Sequence, residues 1–124
     1  MAARRRVTSA EPSEPSIHEL TFRRCWAMCG LKIEPREQFY FDMGRRWRFD
    51  FAWPAYRVAV ELHGGEHSGG RHTTGVGLIA DCEKMRAAIL RGWVVMPITG
   101  TELKRAPVQR IEEIKQLLVM RGAK

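Results

Sequence analysis

Arg45-Arg46-Trp47-Arg48-Phe49-Asp50-Phe51-Ala52-Trp53-Pro54, followed after Ala55, Tyr56 and Arg57 by Val58-Ala59-Val60-Glu61-Leu62-His63, is the stretch on which the fold turns. Trp47, Phe49, Phe51 and Trp53 alternate with Arg48, Asp50 and Ala52, the period of two expected of a strand with one buried face. Tyr56, Val58, Val60 and Leu62 alternate in the same way with Arg57, Ala59, Glu61 and His63. Pro54-Ala55 between the runs reads as a turn. Pairing aromatic face to aliphatic face sets Ala52 opposite Arg57, Asp50 opposite Ala59 and Arg48 opposite Glu61. In that register Asp50 and Glu61 are diagonal neighbours on the other face, about 7 to 8 Å apart at Cα. From there the two carboxylates can converge on one divalent ion.

Outward from this hairpin, Pro35 to Phe41 reads as a preceding strand with its turn at Met43-Gly44. Ser16 and Glu19 have the spacing of a capping box, which opens a helix running to about Cys29 with Gly30 as its stop. Apolar residues on both faces (Ile17, Leu20, Phe22, Trp26, Met28) predict that this helix is well buried. Residues 64–77 hold six of the eleven glycines and read as a loop. Leu78, Cys82, Met85 and Ile89 repeat at helical spacing over Leu78 to Leu90, and Gly92 ends that helix. Trp93 to Ile98 reads as a buried strand, and Val108 to Met120 as a last helix with Val108, Ile111, Ile114 and Leu118 inward. The order α-β-β-β-loop-α-β-α predicts an α/β fold. An antiparallel meander is followed by a crossover helix and a parallel strand, in a mixed sheet flanked by helices.

Composition narrows the function. At 124 residues with 44% hydrophobic side chains, the chain suits one domain with a real core. The formal charge of +7 favours an anionic partner, nucleic acid first. No apolar run approaches the roughly 18 to 20 residues of a membrane span, and no apolar signal segment follows Arg4-Arg5-Arg6, so no membrane partner and a cytoplasmic location are expected. Residues 1–15 read as a flexible basic arm ahead of a single domain at 16–124. Cys25, Cys29 and Cys82 form no CxxC pair and are expected to be reduced thiols. His63, His67 and His72 with Glu66 crowd the glycine-rich loop and raise the alternative of a zinc-stabilised interaction domain, although their spacing fits no zinc signature.

The hairpin through His63-Gly64-Gly65, together with Asp81 to Trp93 and its Glu83, Lys84 and Gly92-Trp93, resembles the PD-(D/E)xK, restriction-endonuclease-like nucleases. The similarity is strongest to the small group related to very-short-patch-repair endonucleases and phage-type nucleases, and it spans most of residues 16–98. It implies an α-β-β-β-α-β core with an extra C-terminal helix, and metal-dependent hydrolysis of DNA phosphodiester bonds. Asp50 matches the first acid of the motif and Glu61 the second. Asp50, Glu61 and the carbonyl of Leu62 would form part of a shell for Mg²⁺ or Mn²⁺, both of which take oxygen ligands. Glu19, on the first helix, loosely matches an acid that supports the metal site. The motif lysine two residues after the second acid is replaced by His63, so His63 or Lys84 is left to supply the basic or cationic group. Arg45, Arg46, Arg48, Arg71 and His72 are the candidate DNA contacts. A homodimer is open, because cutting both strands often takes two sites. A catalytically inactive DNA-binding module of the same fold is the main competing reading.

Overall fold

A computed structural model describes residues 15–64 and 75–124. Residues 1–14 and 65–74, the second stretch carrying Glu66, His67, Arg71 and His72, lie outside the described residues. The elements run α1 (Ile17–Cys29), β1 (Arg36–Asp42), β2 (Trp47–Trp53), a 3₁₀ turn (Pro54–Tyr56), β3 (Val58–His63), α2 (Gly75–Leu90), β4 (Val94–Thr99), α3 (Gly100–Arg105) and α4 (Pro107–Met120). The sheet order is β1-β2-β3-β4, antiparallel across the first three strands and parallel between β3 and β4. The fold is therefore mixed α/β, a four-stranded mixed sheet flanked by helices.

Local sequence signals open three of the helices described: capping boxes at α1 and α3, and a proline at α4. The Ser16 hydroxyl accepts from the Glu19 amide at 3.1 Å and Glu19 Oε1 accepts from the Ser16 amide at 2.8 Å, completing the capping box. Thr99 and Glu102 form a second box that opens α3, a short helix the hydrophobic spacing did not suggest. Pro107 begins α4 at a position where its missing N–H costs nothing. Gly30 does end α1, but in an extended conformation (φ −81) and not the left-handed one common at helix ends. Its role is steric: a Cβ there would meet the Trp26 ring at 2.4 Å.

The core is divided unequally by the sheet. On one side Phe51, Trp53, Val58 and Val60 pack with Phe22 and Trp26 of α1, Leu103 of α3 and Ile111, Ile114 and Leu118 of α4. On the other side a smaller cluster joins Phe49, Ala52, Ala59, Trp93 and Ala88 of α2. Arg121 closes the large side by donating to the Tyr56 and Gly92 carbonyls at 2.9 and 2.8 Å.

Several expectations change. The β2–β3 register pairs Trp53 with Val58, Ala52 with Ala59 and Phe51 with Val60, two residues away from the expected one. Pro54 favours a 3₁₀ turn, and Arg57 follows it in the left-handed region (φ 55) with its amide on the Pro54 carbonyl. The connection thus consumes four residues instead of two. The four aromatics of β2 do not share a face, since Phe49 lies with the small cluster and Phe51 with the large one. The switch occurs beside Gln38, which sits in β1 between the pairs Glu37–Phe51 and Phe39–Phe49 with a left-handed backbone (φ 51). A reversal of that kind twists a ladder locally without breaking its register.

Two helices are more exposed than their apolar content suggested. In α1 only Phe22 and Trp26 are buried, while Ile17, Leu20 and Met28 face solvent. In α2 only Ala88 is buried; Leu78, Cys82 and Ile89 are exposed. The sheet takes the narrow stripe Asp81, Lys84, Met85 and Ala88, because small and polar residues let α2 approach the Ala52–Ala59 pair. Val108 of α4 is likewise exposed.

The partition within α1 is testable by chemical denaturation. Trp26→Ala, which removes a 3%-exposed ring and its hydrogen bond to the Ile33 carbonyl, should cost about 3 to 5 kcal/mol. Met28→Ala should stay within about 0.5 kcal/mol. Equal losses would contradict the burial described here.

Candidate functional site

The β2–β3 ladder ends at Phe51–Val60, and the next residues in that register are Asp50 and Glu61. Their main-chain donors pair with carboxylates in place of the opposing strand. Asp50 N–H donates to Glu61 Oε2 at 3.1 Å, and Leu62 N–H donates to Asp50 Oδ2 at 2.7 Å. The acids therefore face each other directly, closer than the diagonal arrangement expected. Lys84 enters from the inner stripe of α2, its Nζ 2.7 Å from Glu61 Oε1 and 5.7 Å from the centre of the Phe49 ring. Lys84 and Glu61 are 20% and 17% exposed, so solvent screens this pair less than a surface one.

These groups line an open cleft of about 560 Å³ with Arg46, Trp47, Arg48, Leu62, His63 and Asp81. His63 lies on the same strand face as Glu61, at the rim of the cleft and partly buried. Arg46 and Arg48 border the opening. Arg45 does not line it: its guanidinium covers the Trp47 ring at 4.2 Å and reaches Glu83 at 3.9 Å. Arg57 is carried to the far end of the hairpin, where it donates to the Arg91 carbonyl. Arg71 and His72 lie outside the described residues.

Glu19 reaches the site indirectly. Beyond its cap, its Oε2 accepts from Gln38 Nε2, and its charge is among those acting on Asp50. Gln38 is a member that sequence reasoning missed. Its Oε1 is buried without a hydrogen-bond partner among the described residues, and nothing in a glutamine signals a left-handed backbone. Asp81 was also missed, although its spacing of three from Lys84 places both on one helix face. His18 is a third. Its ring fits over Gly64 and Gly100, where a Cβ would come within 2.6 and 2.2 Å of it, so α1 sits directly against the C-terminal ends of the parallel strands.

Burial pushes the Asp50 carboxyl up to about 6 from an ordinary 3.8; the Leu62 amide opposes the rise, Glu61 and Glu19 add to it, and Lys84 opposes it. A partly buried acid raised by desolvation and by two neighbouring acids is a site whose negative charge is incompletely compensated. Asp50 and Glu61 offer carboxylate oxygens, a donor type that suits Mg²⁺ or Mn²⁺. Among the described residues no group of three His, Cys, Asp or Glu side chains is placed to hold a metal, so water and phosphate would have to complete any shell on Asp50 and Glu61. The cysteines are free, with Cys25 and Cys29 partly buried and the Cys25 thiol raised by burial.

No protein-family model matches the chain, and no curated protein or solved structure gives a significant match. None of the helices described is long and apolar enough to cross a membrane.

The raised Asp50 carboxyl has a consequence for stability. Between about pH 4 and 6 the folded chain holds a proton at Asp50 that the unfolded chain has lost, so this group's contribution to stability falls as pH rises through that window. Asp50→Asn keeps an acceptor for the Leu62 amide and removes the ionisation. In EDTA at pH 7.5 the variant should melt above wild type, by on the order of 2 kcal/mol. The gap should close as pH falls towards 4. A difference that ignores pH would show that Asp50 ionises at no cost.

Proposed function

We propose that this chain is a divalent-cation-dependent DNA endonuclease of the PD-(D/E)xK, restriction-endonuclease-like kind. The observation that carries the reading is the facing pair Asp50 and Glu61 at the end of the β2–β3 ladder, with Lys84 on Glu61. The element order and the parallel β3–β4 pair support it, since they agree with the α-β-β-β-α-β core that the sequence resemblance implies. Arg46 and Arg48 at the cleft, in a chain of charge +7, support a polyanionic substrate.

In this reading Asp50, Glu61 and the Leu62 carbonyl hold Mg²⁺ or Mn²⁺. The ion supplies Lewis-acid activation and offsets charge developing on the phosphoryl oxygens. Lys84 stands in for the lysine missing at His63: it arrives from α2 with its ammonium already directed at Glu61, where it can hydrogen-bond an attacking water and balance the second acid. His63, at the rim, is left to accept a proton or to contact phosphate. Arg46 and Arg48 position the backbone of the DNA.

The same bonds also favour a second reading. Leu62 N–H, Asp50 N–H and Lys84 Nζ already occupy three carboxylate oxygens, which suits a closed, non-catalytic DNA-binding module.

Nicking of supercoiled plasmid with and without Mg²⁺ or Mn²⁺ decides between them. Wild type should nick only with the cation. Asp50→Ala and Glu61→Ala should each lose at least about 100-fold in rate, and Lys84→Ala should lose far more than His63→Ala. DNA that stays bound but uncut under every cation condition would establish the module instead. Arg46→Ala and Arg48→Ala should each lower the salt slope of DNA binding by roughly one unit; an unchanged slope removes them from the interface.

A further inference from the structure

We infer that the outer face of α2 is a pairing surface for a second copy of this chain, helix against helix and antiparallel about a two-fold axis. This does not depend on the nuclease reading. Ile79, Ile89 and Leu90 are 62%, 63% and 86% exposed, flanked by Val76 and Leu78 at 82% and 53%. Among the described residues no other element leaves as many large apolar side chains in solvent. Five large apolar side chains exposed on one helix of a small protein point to an interaction surface.

The charges on this face indicate its occupant. Spacings of four, three and four set Ile79, Glu83, Arg86 and Leu90 along one stripe, opposite the stripe that meets the sheet. Arg86 has no ion-pair partner among the described residues, and Glu83 reaches only Arg45, at 3.9 Å. A parallel pairing would set like charges together. An antiparallel pairing sets Glu83 against Arg86 of the partner subunit and Ile79 against Leu90 of the partner subunit, and each contact recurs by symmetry. The stripe is thus complementary to itself, as an isologous interface requires. A nucleic-acid or anionic lipid surface would gain nothing from the glutamate at its centre.

The two segments of this sequence outside the described residues are poor in large apolar side chains. Residues 65–74 contain no large apolar side chain, and residues 1–14 contain only Met1 and Val7. A single 16-residue helix, about 24 Å long, pairs along one face and makes a small interface compared with standard ones. The two carboxylate clefts, each on the inner side of its α2, are related by the same axis.

Sedimentation equilibrium of the full chain tests the pairing without reading cleavage, so failure of the nuclease reading leaves this test standing. Wild type should show a concentration-dependent monomer–dimer equilibrium. Glu83→Arg alone, or Arg86→Glu alone, creates two like-charge contacts and should weaken association at least about 10-fold. The two changes together restore opposite charges and should return the constant to within about threefold of wild type. All three positions of charge and apolar contact tested are solvent-exposed, and circular dichroism confirms that each variant folds. Ile79→Ser should weaken association as well. A wild type that remains monomeric at all concentrations overturns the inference. So does a dimer indifferent to the single charge changes, or one that the double change fails to restore.

Discussion

The exchange of hydrogen bonds between Asp50 and the Glu61–Leu62 segment is the constraint on which the rest of the site depends. Where the β2–β3 ladder stops, the Asp50 and Leu62 amides would be left without acceptors in a partly buried position. An unsatisfied amide there costs about 1 to 3 kcal/mol. Two carboxylates held against aromatic and aliphatic neighbours carry a larger penalty if they lack donors. Each deficiency answers the other. The acids thereby become fixed parts of the sheet, with positions set by backbone geometry and not by side-chain freedom. The cost that remains is electrostatic, and it shows in the raised Asp50 carboxyl.

That remaining cost explains why Lys84 stands where it does. One ammonium against Glu61 compensates one of the two charges and leaves Asp50 to share the rest with Glu19 across the sheet. Glu19 is in turn fixed at both ends, by the Ser16 cap and by Gln38. The capping box of α1 therefore has two effects. It begins a helix, and it directs a third carboxylate towards the site from the face opposite Lys84.

Much of this was legible in the sequence because the signals are local. The alternation of β2, the Ser16–Glu19 box and the apolar spacing of α4 each depend on a few consecutive residues, and the helices and strands followed within a few positions. Asp50 and Glu61 could be brought together from the hairpin alone, and Lys84 could be named as a candidate cation from the family resemblance. What failed depends on backbone choices that composition does not encode. The register shifted because Pro54 to Arg57 formed a 3₁₀ turn closed by a left-handed arginine. The aromatic face divided because Gln38 reversed its backbone. Gln38 and His18 went unnoticed because their importance comes from what lies across the fold: an acid on α1 in one case, two glycines at strand ends in the other.

The reading of α2 failed for a different reason, and the reason bears on the site. Its apolar spacing was real, but the sheet surface below it is made of Ala52 and Ala59 around an acidic cleft. Such a surface accepts small and cationic residues, not leucine and isoleucine. The helix therefore rests on Ala88 and on ion pairs: Lys84 with Glu61 at 2.7 Å, Arg91 with Asp42 at 2.9 Å and, more loosely, Arg45 with Glu83. Exposed pairs of this type contribute little and weaken with salt, whereas the largely buried Lys84–Glu61 bond is a firmer polar tie between α2 and the sheet. Anything that competes for Glu61 acts on the seating of the helix at the same time, and the chemistry of the cleft is coupled to the position of α2 through the Lys84 ammonium.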